Sequence, residues 1–440
     1  MLHFQTLWCI FTLHIFKEQK LDKFVIQGGR KLKGKVIISG SKNAGLAIMP
    51  ATILADGEFT LKNVPHLKDI ETMGKLLEVM GIAIEMKDHT LTLNTSNLKK
   101  YEAPYEHVKK MRASIYVLGP LVARYGYAKV SLPGGCAWGP RPVNLHIEGI
   151  KKLGADIEIR EGYIIARAKK LRGTNIAFDV PSVGATGNIM MAAALAEGTT
   201  IIENAAIEPE ITALAEFLKK MGAYINGIGT KRLEIQGIDS LHPADEVLIP
   251  DRIETGTFLV AAAITHGNVT LLNTNPQHLT AIIAKLEGAG AELTSTSNTI
   301  TIRSPKIIKP VDVTTAVYPG FPTDMQAQWM ALMAIANGSS VITDSIYLDR
   351  FKHVPELIRL GASIDLIKNS AFVKGVKKLT GAKVMSTDLR ASASLVLAGL
   401  VAEGTTEILR VYHLDRGYES LEKKLEALGA DIRRVAGKEY

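Results

Sequence analysis

The 440-residue sequence predicts an α/β protein of two lobes, assembled from six copies of a unit of about 70 residues. Two series of glycines carry this prediction. In the first, a glycine followed by small and apolar residues ends an amphipathic stretch at Gly81, Gly154, Gly222, Gly290, Gly361 and Gly429, at spacings of 73, 68, 68, 71 and 68 residues. The second falls at Gly57, Gly126, Gly198, Gly267, Gly338 and Gly404, at spacings of 69, 72, 69, 71 and 66. Two independent series sharing one period signal internal repetition. Six such units are too large for one core, so three plus three is the natural division. An open array of tandem units is the alternative, but elongated solenoids use far shorter repeats.

Within a unit, Ile70, Met73, Leu77 and Met80 recur at intervals of three and four, which is one apolar face of a helix. Gly81 follows as a left-handed cap, and Ile82 to Met86 alternates as a strand. The last unit repeats the pattern with Leu421, Leu425, Leu428 and Gly429. The second glycine of each unit ends a more apolar helix, such as Ile189 to Ala196, which should be buried on most sides. Each unit therefore reads helix–strand–helix–strand with extra short strands.

Residues 1–20 read as an upstream extension or a misassigned start. Leu7 to Phe16 is mostly apolar but too short for a bilayer, and it lacks the flanking cation and small-residue cleavage site of a secretory signal. Poor order is expected there. One lobe is expected to span residues 43–249, and the other residues 21–42 plus 250–440. The crossing falls near Leu248-Ile-Pro-Asp-Arg252, and a first strand from Phe24 to Ser39 joins the second lobe.

Cys9 and Cys136 are the two cysteines, which excludes a disulfide framework or an all-cysteine metal site and fits a reducing cytoplasm. The eleven histidines show no helical ligand spacing, so no metal is expected. The net charge of +8 comes from dispersed basic residues without aromatic interleaving, which favours small anions over nucleic acid or a membrane surface.

The chemistry centres on Leu132-Pro-Gly-Gly-Cys-Ala-Trp-Gly-Pro-Arg-Pro142. Its glycines and prolines exclude a packed helix or strand, so Cys136 rides a loop five residues before Arg141. A loop thiol near a cation is a candidate for reactivity; the alternative is a small apolar filler. Asp324 reads either as a catalytic carboxylate or as the N-cap of a helix beginning at Met325. Gly184 precedes a helix expected over residues 185–196, whose N-terminal end, with Ser182 to Gly184, could offer backbone N–H groups to a phosphate.

Six repeats in two lobes, with Ser39-Gly-Ser-Lys-Asn43, Leu132-Pro-Gly-Gly-Cys136 and Phe321-Pro-Thr-Asp324, resemble the enolpyruvyl transferase family from about Leu21 to the C-terminus. The resemblance implies two inside-out α/β lobes, with helices central and sheets outside. It also implies transfer of the enolpyruvyl group of phosphoenolpyruvate to the 3'-hydroxyl of UDP-N-acetylglucosamine, with loss of phosphate. That reaction opens peptidoglycan synthesis and needs no cofactor. Both partners are small molecules, and any regulatory protein is unknown. Members of the family acting on shikimate phosphate carry Ser-Lys-Ser where this chain has Ser41-Lys42-Asn43, and they lack the loop cysteine. An inactive relative that only binds the sugar nucleotide is a second alternative.

On the same resemblance, Cys136 is the acid toward C3 of the enol, is modified as a phospholactoyl adduct, and is the target of fosfomycin. Asp324 takes the 3'-hydroxyl proton. Lys42, Arg112, Arg141 and Arg416 gather the charge of phosphoenolpyruvate, with Lys42 and Arg416 also serving catalysis. Asn43 sits at the reacting centre, and Arg390 is a further phosphate or carboxylate ligand with Asp388 as its partner. The nucleotide sugar lies along Arg112, Arg141, Pro142, Val143, Asn144 and Leu145, then Ser182, Val183 and Gly184, with Asp324 and Ile346 closing on it. Val180-Pro181 departs from relatives that carry a lysine two residues before the serine, which shifts the diphosphate onto backbone donors. The loop glycines imply a lid that closes after the sugar nucleotide binds.

Overall fold

The computed structural model describes residues 21–109, 111–132 and 143–437. The expected extension over residues 1–20, and Cys136, Arg141 and Pro142 of the loop, lie outside them. Within this range the chain forms six four-stranded sheets, one for each repeat. In the first unit the helix Lys42–Ala51 leads to the strand Glu58–Lys62, the helix Lys68–Met80, and the hairpin Ala83–Lys87 with Thr90–Asn94. Glu58–Lys62 and Thr90–Asn94 pair antiparallel at the centre, with Ala83–Lys87 on one edge.

The other edge of that sheet explains how the first lobe closes. Glu246–Val247, from the far end of the lobe's sequence, pairs in parallel with Leu61–Lys62. The second lobe closes in a related way. Lys33–Ile37 pairs in parallel with Asn268–Leu272, while Leu21–Gln27 inserts between Thr405–Leu409 and Asp431–Gly437. The single strand expected over Phe24–Ser39 is therefore two strands in two sheets. The chain breaks where Gly28 packs against a distant segment and Gly29 turns: a side chain at Gly28 would meet the Ala402 carbonyl oxygen at 2.2 Å, and Gly29 has φ +95°.

Strand alternation turns one face of each sheet inward, as in Glu58–Lys62, where Phe59 and Leu61 are buried. Those faces pack on helices buried nearly all round. Val183–Ala193 is enclosed from Ala185 onward, and Arg252–Ile264 from Ile253 onward. Helices lie inside and sheets outside, as the resemblance implies. Buried Asn188 is satisfied by donating to the Ile115 carbonyl at 2.9 Å and accepting from the Gly119 N–H at 2.7 Å. One apolar core draws on residues from Ala44 to Leu248, and a second on Phe24–Ile38 together with Ile253–Ile432.

The chain passes between the cores twice, and the two passages are tied to each other. Ser41 N–H donates to the Ile249 carbonyl at 2.7 Å, and Asp251 N–H to the Ser39 carbonyl at 2.9 Å, around a bridge between Gly40 and Pro250. One Asp251 oxygen caps Ile253 and Glu254 N–H, each at 2.9 Å, while the other accepts Lys42 N–H at 3.1 Å. A single buried carboxylate thus serves the starts of two helices in different lobes.

All six glycines of the first series have positive φ; in the second, five do, and His266 takes the left-handed turn beside Gly267. Gly81 at φ +104° also packs closely: a Cβ there would meet the Asn97 carbonyl oxygen at 2.4 Å, whereas at Gly154, φ +97°, nothing lies within 4 Å. Gly154→Ala should cost the left-handed backbone penalty of about 1–2 kcal/mol. Gly81→Ala should cost more, because backbone must also move. Urea midpoints of the two variants check this, and equal shifts would contradict it.

Candidate functional site

Between the lobes lies a cleft of about 440 Å³. Lys42, Asn43, Asp69, Arg112, Ser182, Val183, Gly184, Asp324, Ile346 and Arg416 all line it. Nine of the sequence-predicted residues, all of these except Asp69, are thereby brought to one place; Arg390 is not among the walls but reaches Asp324 behind them. Val143, Asn144 and Leu145 are not among its walls; they open the helix Asn144–Lys152, and His146 on that helix lines the cleft instead.

Lys42 is the first residue of its helix, and Ser41 caps it by accepting Ala44 N–H at 3.3 Å. The residue is 9% exposed, and its ammonium lies 3.4 Å from Asp69 Oδ2. Burial lowers the Lys42 pKa, and Asp69 partly offsets this by favouring the charged form. Asp69 stands in the first turn of Lys68–Met80, where the helix dipole favours an anion. Its other oxygen accepts Arg416 Nε at 2.9 Å, so one carboxylate holds two cations from distant parts of the chain. The sequence reading missed Asp69; an acidic residue in a helix's first turn is too common to stand out.

Asp324 forms the second charge centre. The N-cap alternative fails: the chain makes a short turn at Thr323–Met325 before the helix Gln326–Met333, and neither start has a side-chain cap. The carboxylate is instead gripped by two arginines. Arg390 donates from Nε at 3.1 Å and Nη2 at 2.8 Å to one oxygen, and Arg350 lies 2.8 Å from the other. Burial alone would raise the Asp324 pKa, but Arg390, Arg350 and Lys42 together hold it well below the usual carboxylate value. Arg350 also donates to Thr323 Oγ1 at 3.0 Å, and Asp344 anchors this corner through Thr315, Thr323 and the N–H groups of Ile346 and Tyr347.

Arg390 is 3% exposed and begins its helix one residue in. Asp388, expected as its side-chain partner, is the helix cap and accepts the N–H groups of Arg390 and Ala391 at 2.9 and 3.1 Å. The guanidinium stacks over Tyr418, and among the described residues its buried Nη1 has no hydrogen-bond partner. An orphaned cationic donor beside a cleft is poised to receive an anion.

On the opposite wall the helix begins at Val183, two residues earlier than expected, with Ser182 as its cap. Gly184 therefore lies in the first turn, where N–H groups lack helical partners. His146 packs against it: a Cβ at Gly184 would lie 2.9 Å from His146 Nε2. Asn188 Nδ2 lies 3.0 Å from His146 Nδ1. Burial, helped by Arg112, lowers the His146 pKa to about 3, so the ring is neutral, with Nδ1 accepting from Asn188 and Nε2–H as a donor. No spacing in the sequence signalled this histidine.

The cleft thus offers paired cations, two carboxylates gripped by them, and neutral donors at a helix start. That set suits two anionic ligands and a proton transfer. Comparison with known proteins agrees. Residues 26–425 match the family model described as EPSP synthase (3-phosphoshikimate 1-carboxyvinyltransferase). The chain is 60% identical over 423 residues to a UDP-N-acetylglucosamine 1-carboxyvinyltransferase of Chloroherpeton thalassium, covering 96% of this chain and 99% of that one. It is 55% identical over 415 residues to the protein of the same name in Geotalea daltonii, covering 94% and 100%. Among solved structures, the enolpyruvyl transferase NikO from Streptomyces tendae superposes with a TM-score of 0.86 at 26% identity, over 95% of this chain and 100% of that one. An EPSP synthase from Acinetobacter baumannii shares the fold with a TM-score of 0.74 at 20% identity, over 94% and 100%. The chain belongs to the enolpyruvyl transferase family, in the group of the UDP-N-acetylglucosamine 1-carboxyvinyltransferases.

Proposed function

We propose that this protein transfers the enolpyruvyl group of phosphoenolpyruvate to the 3'-hydroxyl of UDP-N-acetylglucosamine, releasing phosphate and opening the route to peptidoglycan. The observation that carries the reading is the 60% identity along nearly the whole length of a relative with that name. Lobes of residues 43–249 and of 21–42 plus 250–440 bind the two substrates between them. The reading implies a cytoplasmic location, where both phosphorylated substrates are made; among the described residues no helix is long and apolar enough to cross a membrane.

In the addition step, Asp324 removes the 3'-hydroxyl proton as the sugar oxygen attacks C2 of phosphoenolpyruvate, and Cys136 delivers a proton to C3. In the elimination the thiolate left on Cys136 takes a proton back from C3 as the bond from C2 to phosphate breaks, which leaves the enol ether and free phosphate. Lys42, Arg390 and Arg416 hold the phosphate and carboxylate, with Arg141 and Asn43 completing that end. The diphosphate lies against Ser182–Gly184, with Arg112, Pro142, His146 and Ile346 along the nucleotide sugar.

The grip on Asp324 bears on this chemistry. A carboxylate paired with two arginines is a weak base, so something must loosen the pair before proton transfer. Phosphoenolpyruvate supplies it: its anionic oxygens compete for Arg390, and the basicity of Asp324 rises when the reactant arrives. Arg350 remains to orient the carboxylate.

Phosphate release should require both substrates together, and shikimate 3-phosphate in place of the sugar nucleotide should give none. Release with the shikimate ester alone would assign a different acceptor. Heat of sugar-nucleotide binding with no phosphate release would mark an inactive binder. Asp324→Asn should lower kcat by about 10²–10⁴ with the sugar-nucleotide KM little changed. A KM effect alone would make Asp324 a binding group.

The Lys42 ammonium must be charged to hold an anion. Its lowered pKa means that phosphoenolpyruvate affinity falls as pH rises through a value below the ordinary 10.5. Asp69→Asn removes the group favouring the charged form, so the fall should move to still lower pH. Titration of phosphoenolpyruvate into the Cys136→Ser protein with sugar nucleotide present reads this without the thiol's own ionisation. An upward move would show that Asp69 does not support the Lys42 charge.

A further inference from the structure

Outside the cleft, the described residues bring together one set of three side chains suited to a metal ion: His66, His89 and Glu419. Their candidate ligand atoms all lie within 4.8 Å of one another. The two imidazole rings are 4.9 Å apart between centres. We propose that His66, His89 and Glu419 form a site for one divalent transition-metal ion, of the zinc, nickel or cobalt kind, that bridges the two lobes beside the chain crossing.

The placement is what makes this more than a surface coincidence. His66 sits between the strand Glu58–Lys62 and the helix Lys68–Met80, and His89 in the turn between Ala83–Lys87 and Thr90–Asn94. Both belong to the sheet unit of the first lobe. Glu419 stands just before the helix Leu421–Ala427 in the second lobe. These positions are 23 and 330 residues apart, so no ligand spacing in the sequence could reveal them.

The donors are already oriented by neighbours. Glu419 Oε2 accepts from Ser39 Oγ at 2.6 Å, and Oε1 accepts from the His66 backbone N–H at 2.9 Å. Each oxygen keeps a further lone pair. Ser39 is itself part of the crossing, and Lys424 Nζ donates both to its hydroxyl and to buried Glu254, each at 2.7 Å. His89 Nδ1 lies 3.1 Å from the Val64 carbonyl. With Nδ1–H donated there, Nε2 keeps its lone pair, the arrangement that metal-binding histidines commonly adopt.

Two imidazoles and one carboxylate select borderline transition metals; magnesium and calcium prefer oxygen alone. Ligand atoms at ~2.0–2.2 Å from one ion stand closer together than these do, so loading takes small rotations of the exposed imidazoles. Water completes the coordination. An ion held from both sides fixes the angle between lobes at its pivot, and so acts as a brake on any movement of one lobe against the other.

Nickel chloride titrated calorimetrically into the Cys136→Ser protein should show one ion per chain. His66→Ala and His89→Ala, made in that background, should each weaken it by at least about tenfold. Glu419→Gln should do the same if the ion joins the lobes. In the cysteine-containing protein, nickel should lower turnover reversibly on chelation, and His66→Ala should abolish that loss. Nickel affinity unchanged in both histidine variants overturns the site, and full affinity in Glu419→Gln overturns the bridge. Inhibition that persists in His66→Ala overturns the brake. The calorimetric arm does not depend on which reaction the enzyme performs.

Discussion

A single buried carboxylate at the crossing organises this molecule. Asp251 receives backbone N–H groups from the helix that opens the first lobe and from the helix that opens the second. Each cap is worth about 0.5–2 kcal/mol, and a helix start buried without one would leave donors stranded. More important than the energy is the geometry. Because Asp251 fixes the first residue of Lys42–Ala51, it fixes where Lys42 emerges, and the main cation of the cleft is set by the joint between lobes.

Charge in the cleft is pre-arranged by the same economy of contacts. Asp69 holds Lys42 and Arg416, and Asp324 holds Arg390 and Arg350. Buried cations without counter-charges would be costly, and buried carboxylates without cations would neutralise. Asp324 is held ionised by its arginines, and in the proposed reaction the cations of each pair turn from the carboxylate to a substrate anion. The cost of burying charge is therefore met before the substrate arrives, in the preorganised way that favours electrostatic catalysis.

Much of this was legible in the residues. The glycine period gave the six units, because a left-handed helix cap followed by a strand needs glycine at a fixed place in each copy. The apolar helices announced their burial by having no polar face. Lys42, Asn43, Arg112, Arg416 and Asp324 could be placed in one cleft only through the resemblance, since residues hundreds of positions apart carry no pairwise signal. Other features were hidden for physical reasons. The split of Phe24–Ser39 into two strands depends on how Gly28 packs against Ala402, a tertiary contact. Asp388 reads equally well as a cap or as a guanidinium partner, and only the helix start decides. His146 replaces Val143 to Leu145 at the cleft because burial depends on which side of Asn144–Lys152 faces Val183–Ala193.

In the proposed reaction the arriving enolpyruvyl donor takes Arg390 from Asp324 and thereby frees the base. A crystal structure of the Asp324→Glu protein would change the geometry in question, so the direct measurement is the wild-type structure with sugar nucleotide and a non-reacting phosphoenolpyruvate analogue bound. Arg390 should be turned onto the analogue's anionic oxygens, with Arg350 still on Asp324. An analogue seated in the cleft while both Arg390 contacts to Asp324 persist would contradict this.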